Sequence, residues 1–339
     1  MSRRRGCGGC LFRILLAGFV VLLLIGGGLA YVLSQPYKGF ADKVVVEIPR
    51  GTSTSAIGEQ LASSGVIRYP WQFVILRGLR PTSKLQAGEY QFTAAASAWT
   101  VYNQITRGQV FFYEVTIPEG HNIFDIARDV DALKFIKGAD FLKIARDPAL
   151  IHDLAPEAPS LEGYLFPSTY RLTRQTTAAQ LAHKMVDQFR HHWQELNATA
   201  KPRLSVNETV TLASLIEKES GVPVERPKVA SVYINRLRDG IALDCDPTTI
   251  YAAQLENRYH GTIHRSDLDS QNPYNTYRHR GLPPGPIANP GLSSLKAALA
   301  PDQTNYLYFV ARPDHSGGHN FATTLTEHNR NVQLYRHGR

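Results

Sequence analysis

The sequence predicts an α+β protein with a single N-terminal transmembrane helix, small strand–helix modules and a C-terminal mixed α+β domain. Three patterns predict this fold: a long apolar run, short β-branched runs that end at proline or glycine, and longer segments with helical spacing of apolar residues. The 339-residue chain is 43% hydrophobic and 19% charged, which is typical of a folded protein. Its length indicates two or three domains.

The apolar run Ile14–Leu33 carries no charge and is long enough to cross the hydrocarbon core of a bilayer. Basic residues precede it, at positions 3, 4, 5 and 13. The positive-inside rule therefore places residues 1–13 in the cytoplasm and the rest of the chain outside. A cleavable signal peptide with a cleavage site at 28–30 is the alternative, and the length of the run favours a retained anchor.

Charge and cysteine content exclude several other classes. The net charge is +8, but no basic stripe with interleaved aromatic residues occurs, so nucleic acid is not an expected partner. Cys7 and Cys10 precede the apolar run and Cys245 follows it, so no disulfide framework can form. His315 and His319 are separated by a glycine pair, which favours hydrogen-bonding histidines over a zinc site. We expect no metal and no other cofactor.

Beyond the apolar run we predict a tether at 34–43, a small module at 44–113, a second strand–helix region at 114–200 and a C-terminal domain at 201–339. The segments predicted as strands are 44–48, 88–92, 111–116 and 306–310. The segments predicted as helices are 54–63, 71–79, 134–155 with a break at Pro148, 178–196, 205–220, 229–237 and 293–299. Residues 197–203 are predicted to link into the last domain.

The first two modules share a short motif. Ile48-Pro49-Arg50-Gly51 and Ile117-Pro118-Glu119-Gly120 each follow a predicted strand and stand at the same distance before a helical isoleucine. Units of this kind resemble LysM-like glycan-binding modules. A repeated strand–helix packing unit without ligand explains the pattern equally well.

The predicted helix at 205–220 contains the main candidate for chemistry. Glu219 falls on the helix face shared with Leu212, Leu215 and Ile216, whereas Glu217 falls on roughly the opposite side. An apolar surrounding and the negative end of the helix dipole both raise a carboxyl pKa. A carboxyl that is protonated near neutral pH can act as a general acid. Glu219 is therefore favoured over Glu217 as an acid, although a solvated last-turn glutamate is the simpler alternative.

Polar and aromatic residues on stiff loops supply candidate sugar-binding groups. Tyr251, Asn275 and Tyr277 follow or flank proline turns, where phenol rings can stack on pyranose faces and an amide can bind hydroxyls. Asp246 is interpreted as a brace for the turn before Pro247. Each of these segments is also compatible with a purely structural turn.

Several motifs together resemble the YceG-like (MltG) endolytic murein transglycosylases. They are LEGYLFP at 161–167, LIEKES at 215–220, VASVYINRL at 229–237, DPTTIY at 246–251, NPYNTY at 272–277 and GLPPGPIANPG at 281–291. The resemblance covers about 44–335 in consistent order. One departure is Ser168, where the family often has Asp.

The resemblance implies a bacterial inner-membrane lyase that cleaves nascent peptidoglycan strands between N-acetylmuramic acid and N-acetylglucosamine, leaving 1,6-anhydromuramic ends. It implies that Glu219 is catalytic, that Glu162 either lines the cleft or makes a structural hydrogen bond, and that a peptidoglycan synthase is a partner. The rival hypotheses are a muramidase with Asp244 or Asp246 as second carboxylate, a non-catalytic wall-binding protein, and a metallohydrolase.

Overall fold

A computed structural model describes residues 8–198, 204–314 and 316–338. Cys7, His315 and most of the predicted linker at 197–203 lie outside these residues. The chain divides into two compact units, here called unit 1 (Met1–Tyr113) and unit 2 (Glu114–Arg339). Helices and short strands are mixed in both units, as an α+β fold requires.

The first helix, α1 (Gly8–Ser34), contains the predicted apolar run. Within the described ranges it is the one helix that is long and apolar enough to cross a membrane, over Phe12–Ser34 with a mean hydropathy of 2.4. Most of its apolar side chains are exposed, from Phe12 to Ile25. A helix of this length spans about 34 Å at about 1.5 Å per residue, which matches the hydrocarbon thickness of a bilayer.

The rest of unit 1 is a two-stranded sheet packed on three helices. Its elements are β1 (Val44–Ile48), α2 (Thr54–Ser63), α3 (Pro70–Leu79), β2 (Gly88–Phe92) and α4 (Ala98–Thr106). The strands are antiparallel, with Val44 opposite Phe92 and Ile48 opposite Gly88. Alternation along β1 buries Val46 and Ile48 against Ile57 and Leu61 of α2, so the sheet and the helix share one apolar core.

The segment predicted as a tether is hydrogen-bonded into unit 1. Tyr37 and Ala96 exchange two backbone hydrogen bonds of 3.0 and 3.2 Å, and the Gly39 N–H donates to the Gly65 carbonyl at 2.8 Å. These bonds fix the backbone between α1 and β1. The segment 34–43 is therefore part of the folded unit 1.

Unit 2 is largely helical and contains two further strand pairs. Its elements are β3 (Tyr113–Thr116), α5 (Ile123–Asp131), α6 (Gly138–Ala145), β4 (Thr169–Leu172), α7 (Ala178–Asn197), α8 (Val206–Glu219), α9 (Arg226–Arg238), α10 (Asp246–Leu255), α11 (Arg265–Leu268), α12 (Leu292–Leu299), β5 (Tyr308–Ala311), β6 (His319–Ala322) and α13 (Leu325–His337). β3 pairs with β4, and β5 pairs with β6 in antiparallel register.

The shared isoleucine–proline motif occupies the same place in two similar segments of the chain. β1, α2, α3 and β2 follow one another in the order strand, helix, helix, strand, and so do β3, α5, α6 and β4. The turn glycines Gly51 and Gly120 have φ of +84° and +77°, values that a side chain would disfavour. Ser53 and Asn122 then cap the following helix through their side-chain oxygens.

Helix α8 runs through the core of unit 2. Ser205 and Glu208 form the capping box that the sequence predicts at its start. Residues 209–216 of α8 are all buried, and α12 and α9 pack beside it. The helix ends at Glu219, because Ser220 adopts an extended conformation with φ −118° and ψ 110°. The last turn of a buried helix thus delivers Glu219 to the edge of the core.

The interpretation of Asp246 as a brace for a turn before Pro247 is wrong. Residues 246–251 form the start of α10, with Pro247 in its first turn. Proline is compatible with the first turn because its missing N–H would have no partner there in any case. Asp246 is therefore the first residue of a helix.

Candidate active site

An open cleft runs past the carboxyl end of α8, with a cavity volume of about 430 Å³. Its walls come from elements distant in sequence: α9, the segment before α10, the loop that carries Tyr277, β5 and α13. The lining residues are Glu219, Val232, Tyr233, Arg236, Leu243, Asp244, Asp246, Pro247, Tyr277, Leu307, Tyr308, Phe309, Leu325 and His328. Aromatic rings and polar groups thus surround one glutamate.

Glu219 is half-buried, and its carboxylate has specific donors. The Cys245 thiol donates to Glu219 Oε1 at 3.2 Å, and the Tyr233 hydroxyl also hydrogen-bonds to this carboxylate. Burial raises the pKa of Glu219 above its ordinary value, and the negative charge of Asp246 acts in the same direction. The bonds from Cys245 and Tyr233 and the charge of His319 oppose that shift. The net direction is upward, towards a carboxyl that holds its proton.

Glu217 has a different environment, two residues away. Its Oε1 accepts from Arg226 at 2.8 Å and its Oε2 accepts from the Gly291 N–H at 2.9 Å, while both charged side chains are buried. Arg226 also donates through Nε to the Ser220 carbonyl at 3.3 Å. Glu217 is thus a structural anion that fixes the end of α8 to the loop at 281–291.

Tyr277 and Asp246 face each other on the cleft wall. The Tyr277 hydroxyl donates to Asp246 Oδ1 at 2.6 Å, and the Tyr277 side chain is 39% exposed. Burial and the Asp246 charge raise the pKa of Tyr277, so it stays a neutral donor. Of the predicted sugar-binding residues, Tyr277 is the one that the structure places beside Glu219. Asp246, interpreted from sequence as a turn brace, instead presents its carboxylate to the cleft.

Glu162 and Tyr251 lie together in the interior, away from the cleft. Glu162 is fully buried, and its two oxygens accept from the Ile123 N–H and the Asn289 amide, both at 2.9 Å. Tyr251 hydrogen-bonds to the same carboxyl. Burial raises the pKa of Glu162 to about 8. This geometry matches the structural alternative for Glu162, because the group joins α5 to the loop at 281–291.

Asn275 is also fully buried. Its amide donates to the carbonyls of Leu268 and Ser270 at 3.0 and 2.8 Å, and its oxygen accepts from the Tyr277 N–H at 3.1 Å. All these partners belong to the protein backbone, so the side chain braces the loop that carries Tyr277. Direct contact of Asn275 with a sugar stays a prediction, and it would require this loop to open.

Sequence reasoning missed three residues around Glu219 and did not place a fourth, His319, near it. Tyr233 and Arg236 lie one helical turn apart on α9, a spacing that predicts a shared face but not what that face meets. Cys245 carries no local signal. His319 is buried at the start of β6, where its Nδ1 lies 3.0 Å from Glu225 Oε2.

No group of three or more His, Cys, Asp or Glu side chains is placed to hold a metal ion within residues 8–198, 204–314 and 316–338. A carboxyl with a raised pKa at an open, aromatic-lined cleft is the arrangement found in acid–base enzymes that act on glycosidic bonds. The site is compatible with an α+β enzyme of that class.

The chain belongs to the YceG-like family, which matches over residues 46–334. It is 35% identical over 334 residues to the endolytic murein transglycosylase of Bacillus subtilis, covering 92% of this chain and 91% of that protein. It is 28% identical to the endolytic murein transglycosylase of Streptococcus pneumoniae, of which it spans 63%. The crystal structure of a YceG-like protein from Listeria monocytogenes matches with a TM-score of 0.55 and 34% identity, covering 86% of this chain and 99% of that one.

Proposed function

We propose that this protein is a membrane-anchored endolytic murein transglycosylase, a lyase that cleaves peptidoglycan glycan strands with Glu219 as its acid and base. The observation that carries the proposal is the position of Glu219, half-buried at the cleft with a raised pKa and held by Cys245. Membership of the YceG-like family and the names of its relatives support the same activity.

The reaction needs one protonatable group. Glu219, as a carboxylic acid, gives its proton to the oxygen between N-acetylmuramic acid and N-acetylglucosamine, and the bond from that oxygen to C1 of the muramic residue breaks. The resulting carboxylate then takes the proton of the muramic 6-hydroxyl, whose oxygen bonds to C1 of the same sugar. The products are a 1,6-anhydromuramic end and a free N-acetylglucosamine end, and Glu219 regains its proton. Because the nucleophile is within the substrate, proximity replaces an activated water.

The cleft walls suggest how the sugar is held. Tyr277 is exposed and directs its hydroxyl to Asp246, so it presents a ring face to the cleft. Tyr308 and Phe309 line another wall. We assign substrate positioning to Tyr277, while Asn275, Tyr251 and Glu162 act on the loops that shape the cleft.

A muramidase is the second candidate, and one observation favours it. Asp246 is an exposed carboxylate in the same cleft, and its charge acts on Glu219. Such a carboxylate can activate water, and hydrolysis would then give a reducing muramic end. Product mass separates the two reactions, because the anhydro product is lighter by one water.

The decisive experiment is product analysis of the full-length protein in detergent, acting on uncrosslinked glycan strands. We expect anhydromuramic products from wild type, none from Glu219→Gln, and wild-type amounts from Glu157→Gln, which removes an exposed loop carboxylate. Anhydro products from Glu219→Gln would refute the assignment of the acid. Reducing ends from wild type would favour the muramidase.

The remaining features fit a protein that works at the cell wall. We propose that α1 is a retained single-pass anchor in the bacterial inner membrane, with residues 1–13 in the cytoplasm and both units outside. Residues 44–113 would form a LysM-like module, 114–200 a second strand–helix region and 201–339 the catalytic domain. Cleavage of new strands would end their elongation, so a peptidoglycan synthase is the expected partner.

A further inference from the structure

The last turns of helix α1 pack against the rest of unit 1. Leu33 is 4% exposed and joins the unit 1 core, with Leu29 packed beside it. Gln72 of α3, itself buried, donates from Nε2 to the Val32 carbonyl at 3.3 Å. Together with the short hydrogen-bonded segment that follows α1, these contacts fix α3 and α4 at the outer end of the apolar helix.

An apolar cavity of about 500 Å³ shows how deep this contact reaches. It is lined by Gly26, Leu29 and Leu33 of α1 together with Leu79 of α3 and Trp99 of α4. The axis from Gly26 to Ser34 is about 12 Å long at about 1.5 Å per residue. If α1 spans a bilayer, Leu79 and Trp99 therefore lie beside the outermost part of the span, at the boundary between acyl chains and headgroups.

Helices α3 and α4 expose large apolar side chains. Trp71 is 41% exposed, Val74 43%, Leu79 60% and Trp99 37%. Tyr69, also exposed, stacks on Trp71 with ring centroids 5.9 Å apart. Tryptophan and tyrosine concentrate at membrane–water interfaces because their rings are amphipathic. We call these five residues the aromatic face.

Basic residues accompany the aromatic face, within a stretch of sequence that is flanked by Glu59 and Glu89. The sequence 60–88 contains Arg68, Arg77, Arg80 and Lys84 but no Asp or Glu. The Arg80 guanidinium lies 4.4 Å from the Trp99 ring centroid. A surface that combines exposed aromatic rings with cations is typical of segments that lie in the headgroup region of anionic membranes.

We propose that the aromatic face of unit 1 is a membrane-docking surface, seated in the outer headgroup layer of the bilayer that α1 spans, with Arg68 and Arg80 at the lipid phosphates. This inference rests on the proposed role of α1 as a retained anchor. Continuity with α1 selects the bilayer as occupant, because the face begins where the apolar helix ends. Unit 1 would then be held flat on the membrane.

Tryptophan fluorescence of the full chain in vesicles tests the proposal. The protein has three tryptophans, and the third, Trp193, is 3% exposed in the core of unit 2. The vesicles consist of phosphatidylethanolamine and phosphatidylglycerol with bromine, a quencher, near the top of the acyl chains. In the Trp193→Phe variant all tryptophan emission comes from Trp71 and Trp99, and we expect bromine to quench most of it. The matched variant with Trp71→Phe and Trp99→Phe should lose almost none of its emission. The expected quenching is the same whichever way the protein inserts into the vesicle.

The possible outcomes are distinct. If alkaline carbonate extracts the chain from membranes, α1 is not an anchor and the premise fails. If the chain stays in the membrane but Trp71 and Trp99 remain unquenched, the docking surface is refuted while the anchor stands. If they are unquenched and cross-linking joins two chains through this face, its occupant is a second copy and the proposal is overturned.

Discussion

Removing the thiol beside Glu219 should move the pH dependence of catalysis in a defined direction. The Cys245 thiol donates to Glu219 Oε1 at 3.2 Å, and this bond favours the carboxylate. In Cys245→Ala the carboxylate loses a donor, so the pKa of Glu219 rises further. The acid form then persists to higher pH, and the basic limb of the kcat/KM profile should shift upward.

The size of this effect follows from the strength of the bond. A hydrogen bond to a charged acceptor contributes about 1.5–3 kcal/mol with ordinary donors, and a thiol is a weak donor, so about 1 kcal/mol is expected here. That changes the ratio of acid to carboxylate by about fivefold at a fixed pH. The backbone of residue 245 donates to Thr276 Oγ1 at 3.0 Å and accepts from the Thr248 N–H at 3.1 Å, so the substitution should leave the segment intact.

Cys245→Ser gives the matched test, because a hydroxyl is a stronger donor than a thiol. The same limb should then shift to lower pH. The assay is the initial rate of anhydromuropeptide release as a function of pH, with thermal unfolding as the control for stability. If alanine and serine shift the limb in the same direction, or neither shifts it, the thiol does not set the proton affinity of Glu219.

Three further outcomes are expected. The pKa of Glu162 is about 8 in the folded protein against an ordinary 4.5. The stability that its neutral form contributes is therefore complete below about pH 4.5 and is lost as pH rises through about 8. In chemical denaturation, Glu162→Gln should be less stable than wild type at about pH 4, and this difference should shrink at about pH 9. Tyr277→Phe removes the hydroxyl whose 2.6 Å bond to Asp246 orients the ring in the cleft. It should lower kcat/KM about tenfold, which corresponds to about 1.4 kcal/mol of lost substrate positioning in the transition state, and the melting temperature should fall only slightly because Asp246 is exposed. Arg226→Met leaves Glu217 buried without its cation and should cost about 3–5 kcal/mol of unfolding free energy, measured by denaturant titration; a loss below about 1 kcal/mol would contradict the buried-pair interpretation.

Sequence patterns predicted local elements well where cap and period agree. Strand Val44–Ile48 and helix Thr54–Ser63 have the predicted bounds, because β-branched residues end at Pro49 and Ser53 caps the spacing of Ile57 and Leu61. The helix at Asp246–Leu255 was missed, since an Asp-Pro pair occurs both in turns and at helix starts. Of the hairpin of β5 and β6, only the first strand was predicted, at 306–310.

The site was predictable to a smaller extent. The helical period predicted that Glu219 and Glu217 face different sides of α8, and the structure has Glu219 at the cleft and Glu217 beside Arg226. That the Glu217 side chain is also buried was not predicted. Its contact with Cys245, however, joins two segments that only tertiary packing brings together. Asn275 and Tyr277 are near neighbours with opposite environments, since a sequence does not show which side of a loop faces the core.

The two strand–helix–helix–strand segments, β1 to β2 and β3 to β4, have a consequence for how the chain folds. In each of these two segments the paired strands are separated by two helices, so we expect both strand pairs to form late, after the local helices. Until these pairs form, β1 and β3 are similar short segments that end in the same isoleucine–proline turn. β1 can then compete with β3 for β4, and β3 can compete with β1 for β2. Synthesis from the N-terminus gives β1 and β2 time to pair before β4 emerges. Refolding of the whole chain from denaturant lacks that order, and exchanged strand pairs are its expected kinetic trap.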